Sequence, residues 1–221
     1  MDSAILILAA VLFLIWYFFS FNYSFDMVYE HSSYDGQKYL VRNLPDRKEA
    51  ANMIAYIRSV LSTLVRRLVI AYPQDKRVQL LQKRYHPENI QEATDDSNHT
   101  SYSVNKGEKL VFCIRFRDNE QKIVQKNTIV FVALHELAHV LCISQGHTEE
   151  FWTSFRFLLA HAIKWKLYTP VNYREKKEPY CGTVITDSPH LPGDVDKFVS
   201  FDDSKVDFSS VPLPQSFHVE S

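Results

Sequence analysis

Cysteine is scarce in this chain of 221 residues: Cys113, Cys142 and Cys181 are the full complement, and none sits in a CxxC pair. So odd and sparse a set argues against a secreted domain stapled by disulfides. It fits a reducing compartment and leaves room for one disulfide beside a free thiol. Net charge is also lacking, at -1 with a pI near 6.8. Proteins that hold nucleic acid by neutralising phosphates are usually basic, so no nucleic-acid partner is expected. The clusters Arg66-Arg67, Lys76-Arg77 and Lys83-Arg84 read as solvated helix faces. No internal repeat is found. What the chain does have is apolar material, 46% hydrophobic against 23% charged, enough for one compact domain with appendages.

Charge is absent altogether between Asp2 and Asp26, and residues 4–19 form an unbroken apolar run. The expectation is an uncleaved transmembrane anchor over residues 1–23, touching a lipid bilayer through residues 4–21, with Trp16, Tyr17 and Tyr23 at headgroup level. A signal peptide is disfavoured by the missing basic n-region, the long apolar stretch and the bulky aromatics at the cleavage position. Lys38 and Arg42 follow the span, so a single-pass topology with the following domain on the cytoplasmic side is expected, including in a virion membrane. Asn22-Tyr-Ser and Asn98-His-Thr match the glycosylation pattern, which matters only if the domain faces a lumen.

A folded domain is expected over 24–195 and a polar, fraying tail over 196–221. Tyr39-Leu-Val-Arg reads as extended. Pro45, Asp46 and Glu49 mark a helix start, and Ala50, Met53, Ile54, Ile57, Leu61, Leu64, Val65 and Leu68 recur at helical spacing until Pro73. A shorter helix is expected over 76–84 and a polar loop over 86–107. KLVFCIRFR, residues 109–117, alternates and is rich in Val, Ile and Phe, the best strand in the chain and a candidate edge for a bound peptide. Asn127 or Thr128 would cap a helix through Cys142, and Thr148 one running to about Leu167.

Inside that first helix lies His135-Glu136-Leu137-Ala138-His139. Residues four apart share a helix face, so the two imidazoles can converge on one cation. Glu136 falls beside the cation, where it can take a proton from a bound water. Flanking Val132, Leu134, Leu137, Ala138 and Leu141 imply a buried, rigid helix. An open catalytic zinc site needs a third protein ligand. His147, behind the turn-forming Gly146, is the preferred candidate, with Glu149, Glu150 and His161 as alternatives. His31, His86, His99, His190 and His218 lie in polar surroundings and read as surface residues. Tyr180, in EPYCGT, is a candidate hydrogen-bond donor to an oxyanion, with a packed structural ring as the competing reading.

The segment HELAHVLCISQGHTEEFW resembles the WLM and SprT-like metallopeptidases: HExxH, a glycine-containing turn with a third His, then an aromatic pair, here Phe151-Trp152. With YLVRNLPDRKEAANMIAYIR at 39–58 and YCGTVITDSP at 180–189, the chain is most similar to a WLM-like family of large DNA viruses of eukaryotes. That resemblance implies a small α+β minigluzincin-like domain, its active-site helix packed on a short, mainly antiparallel sheet and preceded by the transmembrane helix. It also implies Zn2+ on His135, His139 and His147, Glu136 as general base, and a protein or peptide substrate for a virion-associated enzyme. The chain departs from cellular WLM proteins that cleave DNA-crosslinked proteins: its gap to the third His is longer, and their partner-binding tails and DNA-contacting features are not found. The alternatives are a structural virion protein that keeps a peptidase fold, or a protease of DNA-bound proteins.

Overall fold

The computed structural model describes residues 3–23, 26–97, 100–187, 189, 198–199 and 206–215. Asn98, His99, His190 and His218 fall outside these. The apolar stripe beginning at Ala50 forms α2 (Arg47–Ala71), and Ala50, Met53, Ile54, Ile57, Leu61, Leu64 and Leu68 are all fully buried along it. Burying each large aliphatic side chain contributes about 1.5–3 kcal/mol of transfer free energy, so the stripe alone fixes this helix at the centre of the core. The helix stops at Tyr72 because the residue before a proline is pushed out of the helical region. α3 (Lys76–Arg84) follows, started by Asp75, whose carboxylate accepts the Arg77 N–H. α4 (Lys126–Leu141) is apolar nearly all round and packs against α2, α3 and α5 (Glu149–Lys164). A helix apolar on every face is stable only when enclosed, and this one is.

The strands are short. β1 (Met27–His31) and β2 (Lys38–Arg42) make an antiparallel hairpin against α2. β3 (Ile90–Glu92), β4 (Ser101–Val104) and β5 (Lys109–Phe112) make a mixed sheet of order β3-β5-β4, with β5 parallel to β3 and antiparallel to β4. β6 (Glu178–Tyr180) and β7 (Thr183–Ile185) form a last hairpin, turned by Cys181 and Gly182 at φ of 47° and 77°. Positive φ at both central positions is the type I′ geometry that suits strand twist. A disulfide joins Cys113, just beyond β5, to Cys181 in that turn, and Cys142 is free and buried. The fold is therefore α+β with small sheets.

Several expectations need correction. Residues Ser3–Tyr23 do form a helix, α1, with exposed side chains from Ile7 to Tyr17. Yet among the described residues no helix is long and apolar enough to cross a membrane. The transmembrane anchor is overturned. The single-pass topology, the cytoplasmic orientation and the virion-membrane location rested on it and fall with it, and the bilayer contact through 4–21 loses its basis.

KLVFCIRFR is not an edge. Its first four residues are the central strand β5, and the edge is β4, inside the stretch expected to be a loop. Gln125, not Asn127 or Thr128, is the N-cap of α4, because the Asn127 side chain instead exchanges two hydrogen bonds with the backbone of Thr169 (2.8 and 2.9 Å). The tail is not wholly loose either. Val211 is buried, Arg67 donates to its carbonyl (2.9 and 3.1 Å) and lies 4.9 Å from the Phe208 ring, and Arg66 donates to Ser210 O (3.0 Å). Those two arginines were expected on a solvated face; their work is to strap residues 208–211 down.

Beneath the sheet, Arg115 and Glu92 form a buried ion pair (Nε–Oε1 2.7 Å) at 3% and 1% side-chain exposure, and Arg115 also pairs with Asp46 at the start of α2. The second Glu92 oxygen accepts the Arg42 N–H at 2.7 Å. β2, β3, β5 and α2 are thereby tied at one polar point.

Candidate metal centre

The chemistry is carried by α4 and the loop that follows it. His135 and His139, one turn apart, emerge half-buried on the same face, and Glu136 between them is 6% exposed. After Cys142 the chain leaves the helix and is held at several points. Arg84 donates to the carbonyls of Val140 (3.1 Å) and Cys142 (2.9 Å), satisfying helix-end acceptors that would otherwise lack partners. The Glu150 carboxylate accepts the N–H groups of Ile143 (2.8 Å) and Ser144 (3.0 Å). The Ser144 and Thr148 hydroxyls share a hydrogen bond of 2.7 Å, and the Lys106 ammonium donates to Ser144 O. Lys106 reaches there because Gly107 lets the β4–β5 turn lie against the helices. A Cβ at Gly107 would stand 2.4 Å from Arg84 O and 2.7 Å from a Val140 methyl. Gly146 does not cap the helix, which ends at Leu141; at φ +75° it turns the loop so that His147 comes back over α4.

The three imidazoles meet. One ligand atom from each of His135, His139 and His147 lies within 4.8 Å of the others, and the Nε2 atoms of His135 and His147 are 3.1 Å apart. Zinc–nitrogen bonds of 2.0–2.1 Å at tetrahedral angles put ligand nitrogens about 3.3–3.4 Å from one another, so the spacing fits a single ion. Among the described residues this is the one group of three His, Cys, Asp or Glu side chains able to hold a metal. Phe151, fully buried, floors the site with ring centroids 4.8, 4.4 and 4.6 Å from those of His135, His139 and His147. Burial, then the neighbouring imidazoles, pull His135 down to about 3. Burial, then His147 and Lys106, pull His139 down to about 4. Both rings are therefore neutral at pH 7, the form that coordinates a cation.

The alternative ligands are engaged elsewhere. His161 is fully buried, with Nδ1 2.7 Å from Phe157 O and Nε2 2.8 Å from the Tyr72 hydroxyl. Glu149 pairs with Arg156 (2.9 Å), and Glu150 clamps the loop. His31 and His86 are exposed. Burial pushes the Glu136 carboxyl up to about 8, opposed in part by the nearby Ser103 backbone N–H. A cation at the triad would act in the opposite direction, since a positive neighbour favours the carboxylate.

Ser103 belongs to the free edge. Cys113 N–H binds Thr100 O (3.1 Å), and antiparallel ladders alternate, so Tyr102 and Val104 face β5 while Ser101 and Ser103 turn their backbone groups toward the cleft. Tyr180 stands under the N-terminal end of β4. Its hydroxyl donates to Cys113 O (2.7 Å) and lies 2.6 Å from Ser101 Oγ, so its proton is already committed. The structure thus brings His135, Glu136, His139 and His147 together and sets Tyr180 beside them as a strut of the edge strand. Sequence reasoning missed Lys106, Glu150 and Arg84 as the holders of the loop. Glu150 was visible as an acid in the first turn of α5; its reach back to residues 143–144 depends on loop geometry that no spacing encodes.

The WLM domain matches residues 37–190 of the chain. A protein of Acanthamoeba polyphaga mimivirus is 33% identical over 185 residues, which covers 82% of this chain and 93% of that relative. A protein of Invertebrate iridescent virus 3 is 43% identical over 70 residues (32% of this chain, 43% of the relative). One of Invertebrate iridescent virus 6 is 39% identical over 69 residues (31% and 38%). All three are described as uncharacterized proteins. No solved structure matches.

Proposed function

This chain belongs to the WLM domain family, and on that premise we propose that it is a viral zinc metallopeptidase that hydrolyses peptide bonds. The observation that carries the reading is the convergence of His135, His139 and His147 on one point, with buried Glu136 beside it and the free edge of β4 across the cleft. When bound there, zinc would supply Lewis acidity, making a water more acidic and drawing charge onto the substrate carbonyl oxygen. The protein's own groups do the rest. Outward N–H and C=O groups of Ser101 and Ser103 can pair with an extended peptide as an added strand, which fixes the scissile carbonyl without reading sequence. Glu136, as carboxylate, takes the proton of the attacking water and passes it to the departing amine nitrogen.

Substitution separates the roles. Glu136→Gln keeps shape and removes basicity. It should leave zinc content and melting temperature nearly unchanged while lowering turnover by roughly 10²–10⁴-fold. His139→Ala should lose zinc, and stability with it. Equal cleavage by the wild type and Glu136→Gln, or full zinc occupancy in His139→Ala, would refute the assignment.

A further inference from the structure

The cleft beside the triad has two unlike halves, both bordered by His135, Glu136 and His147. One is a pocket of about 430 Å³ built from Phe131, Val132, Phe155, Trp152 and Ile185. The first three are core residues, at 6%, 8% and 1% exposure, so the floor cannot give way. Trp152 and Ile185 are half-buried and form the sides, and the adjoining Val184 is 50% exposed at the rim. Asp187 at the mouth is paired with Arg174 (3.3 Å). The wall carrying Val184 and Ile185 is the β6–β7 hairpin, fastened by the Cys113–Cys181 disulfide and the Tyr180 hydrogen bonds. The other half, about 520 Å³, is polar, lined by Ser101, Ser103, Asn105, Lys106 and Gln145.

Strand direction gives the cleft a polarity. β4 begins beside Tyr180, at the apolar pocket, and runs toward Asn105 and Lys106, at the polar half. A peptide added antiparallel to β4, the commoner and slightly stronger pairing, crosses the polar half first and leaves over the apolar pocket. The residue that follows the scissile bond then stands over the pocket. We infer that this site cuts peptides on the amino side of a large apolar residue, Phe or Leu above all, whose side chain fills the pocket formed by Phe131, Val132, Trp152, Phe155 and Ile185. The inference rests on the peptidase reading and adds to it a substrate class. The volume suits such a side chain. Asp would meet the carboxylates of Glu136 and Asp187 there, and Lys would lose much of the hydration of its charge against a mostly apolar wall.

The test is a panel of peptides identical except at one position, carrying Phe, Leu, Ala, Lys or Asp, incubated with the zinc-loaded full chain. Cleavage sites are mapped by mass spectrometry. The bond before Phe or Leu should be cut roughly 100-fold faster than the bond before Ala, about what a few buried methylenes supply, and slower still before Lys or Asp. Val184→Glu on the exposed rim, which leaves the core floor intact, should narrow the gap between Phe and Lys by at least roughly tenfold. The same panel is titrated calorimetrically against Glu136→Gln, which should bind the peptides in the same rank without cutting them. If no peptide is cut in a Glu136-dependent way, the peptidase reading fails, and the binding rank still judges the pocket. Cleavage with no preference at that position, a preference on the other side of the bond, or a flat binding rank overturns the pocket assignment.

Discussion

Replacing Glu150 by Ala should weaken zinc binding although Glu150 touches no ligand nitrogen. Its carboxylate holds the N–H groups of Ile143 (2.8 Å) and Ser144 (3.0 Å), and those residues open the loop that carries His147. A hydrogen bond to a charged group contributes about 1.5–3 kcal/mol in shelter. Glu150 is exposed, so solvent screening reduces each to about 1 kcal/mol, or about 2 kcal/mol together. Without the clamp the chain must order the loop when His147 binds, and that cost appears as lost affinity. About 2 kcal/mol corresponds to roughly 30-fold, inside the 10–100-fold range usual for groups that orient metal ligands. Competition with a chromophoric chelator at pH 7.5 measures it. Glu149→Ala is the control: it removes the same charge one residue away, where the carboxylate pairs only with groups of its own helix, Thr153 and Arg156. It should change affinity less than about threefold. Equal losses in the two variants would mean that charge near the cation is responsible. A loss below threefold in Glu150→Ala would show that the loop holds its shape without the clamp.

Glu92→Gln should destabilise the protein by about 3 kcal/mol, read from the urea midpoint, because Arg115 then stays buried with its main counter-charge gone; a change under about 1 kcal/mol would refute this. For the metal-free protein the pH dependence can be signed. His135 and His139 have folded pKa values of about 3 and about 4, so between there and about 6.5 the unfolded chain binds more protons, and their contribution to stability falls as pH drops through that window. Glu136, raised to about 8, runs the other way, since its folded form keeps a proton that the unfolded chain releases above about 4.5. Zinc-free Glu136→Gln should therefore lose more stability from pH 6.5 to pH 5 than the zinc-free wild type, and parallel curves would contradict these environments. Finally, breaking the Cys113–Cys181 link, which spans 68 residues of sequence, with a thiol reductant should cost about 4 kcal/mol on the chain-entropy estimate; identical melting temperatures with and without reductant would argue that the link is not formed.

Where a single period governs, the sequence could be read almost to the residue. α2 and α3 lie where the apolar spacing and the proline stop place them, because one stripe facing one core leaves no competing arrangement. Strands were harder. The run at 109–117 is the most strand-like stretch in the chain, yet only Lys109–Phe112 joins the ladder, and its apolar side chains suit it to the sheet centre. The edge fell to Ser101–Val104, whose SYSV has weak strand character and whose four residues are all half-buried. An edge strand needs only one partner and one packed face, so its sequence carries little signal. One disulfide beside a free thiol was allowed for, but its pairing was hidden for a different reason. Two residues 68 apart in sequence become neighbours only once the β6–β7 turn is folded, and Cys181 occupies a left-handed position where Gly or Asn would ordinarily stand.

The site divides along the same line. His135 and His139 were legible because a helix converts a spacing of four into a shared face, whatever the rest of the fold does. His147 is eight residues further on and outside the helix, and spacing alone could not choose it over Glu149, Glu150 or His161. The choice is made by contacts from three separate elements: Arg84 from α3, Lys106 from the β4–β5 turn, and from α5 both Glu150 and Phe151, the latter beneath all three rings. None of these is a ligand, and only Phe151 belongs to a motif. Together they convert a glycine-containing loop, free to adopt many shapes in isolation, into a mount that returns one imidazole to within 3.1 Å of another. The ligand set is thus written locally for two histidines and by the whole fold for the third. This is why the effect of losing Glu150 should be read in metal affinity at His147 and not in the folding of α4.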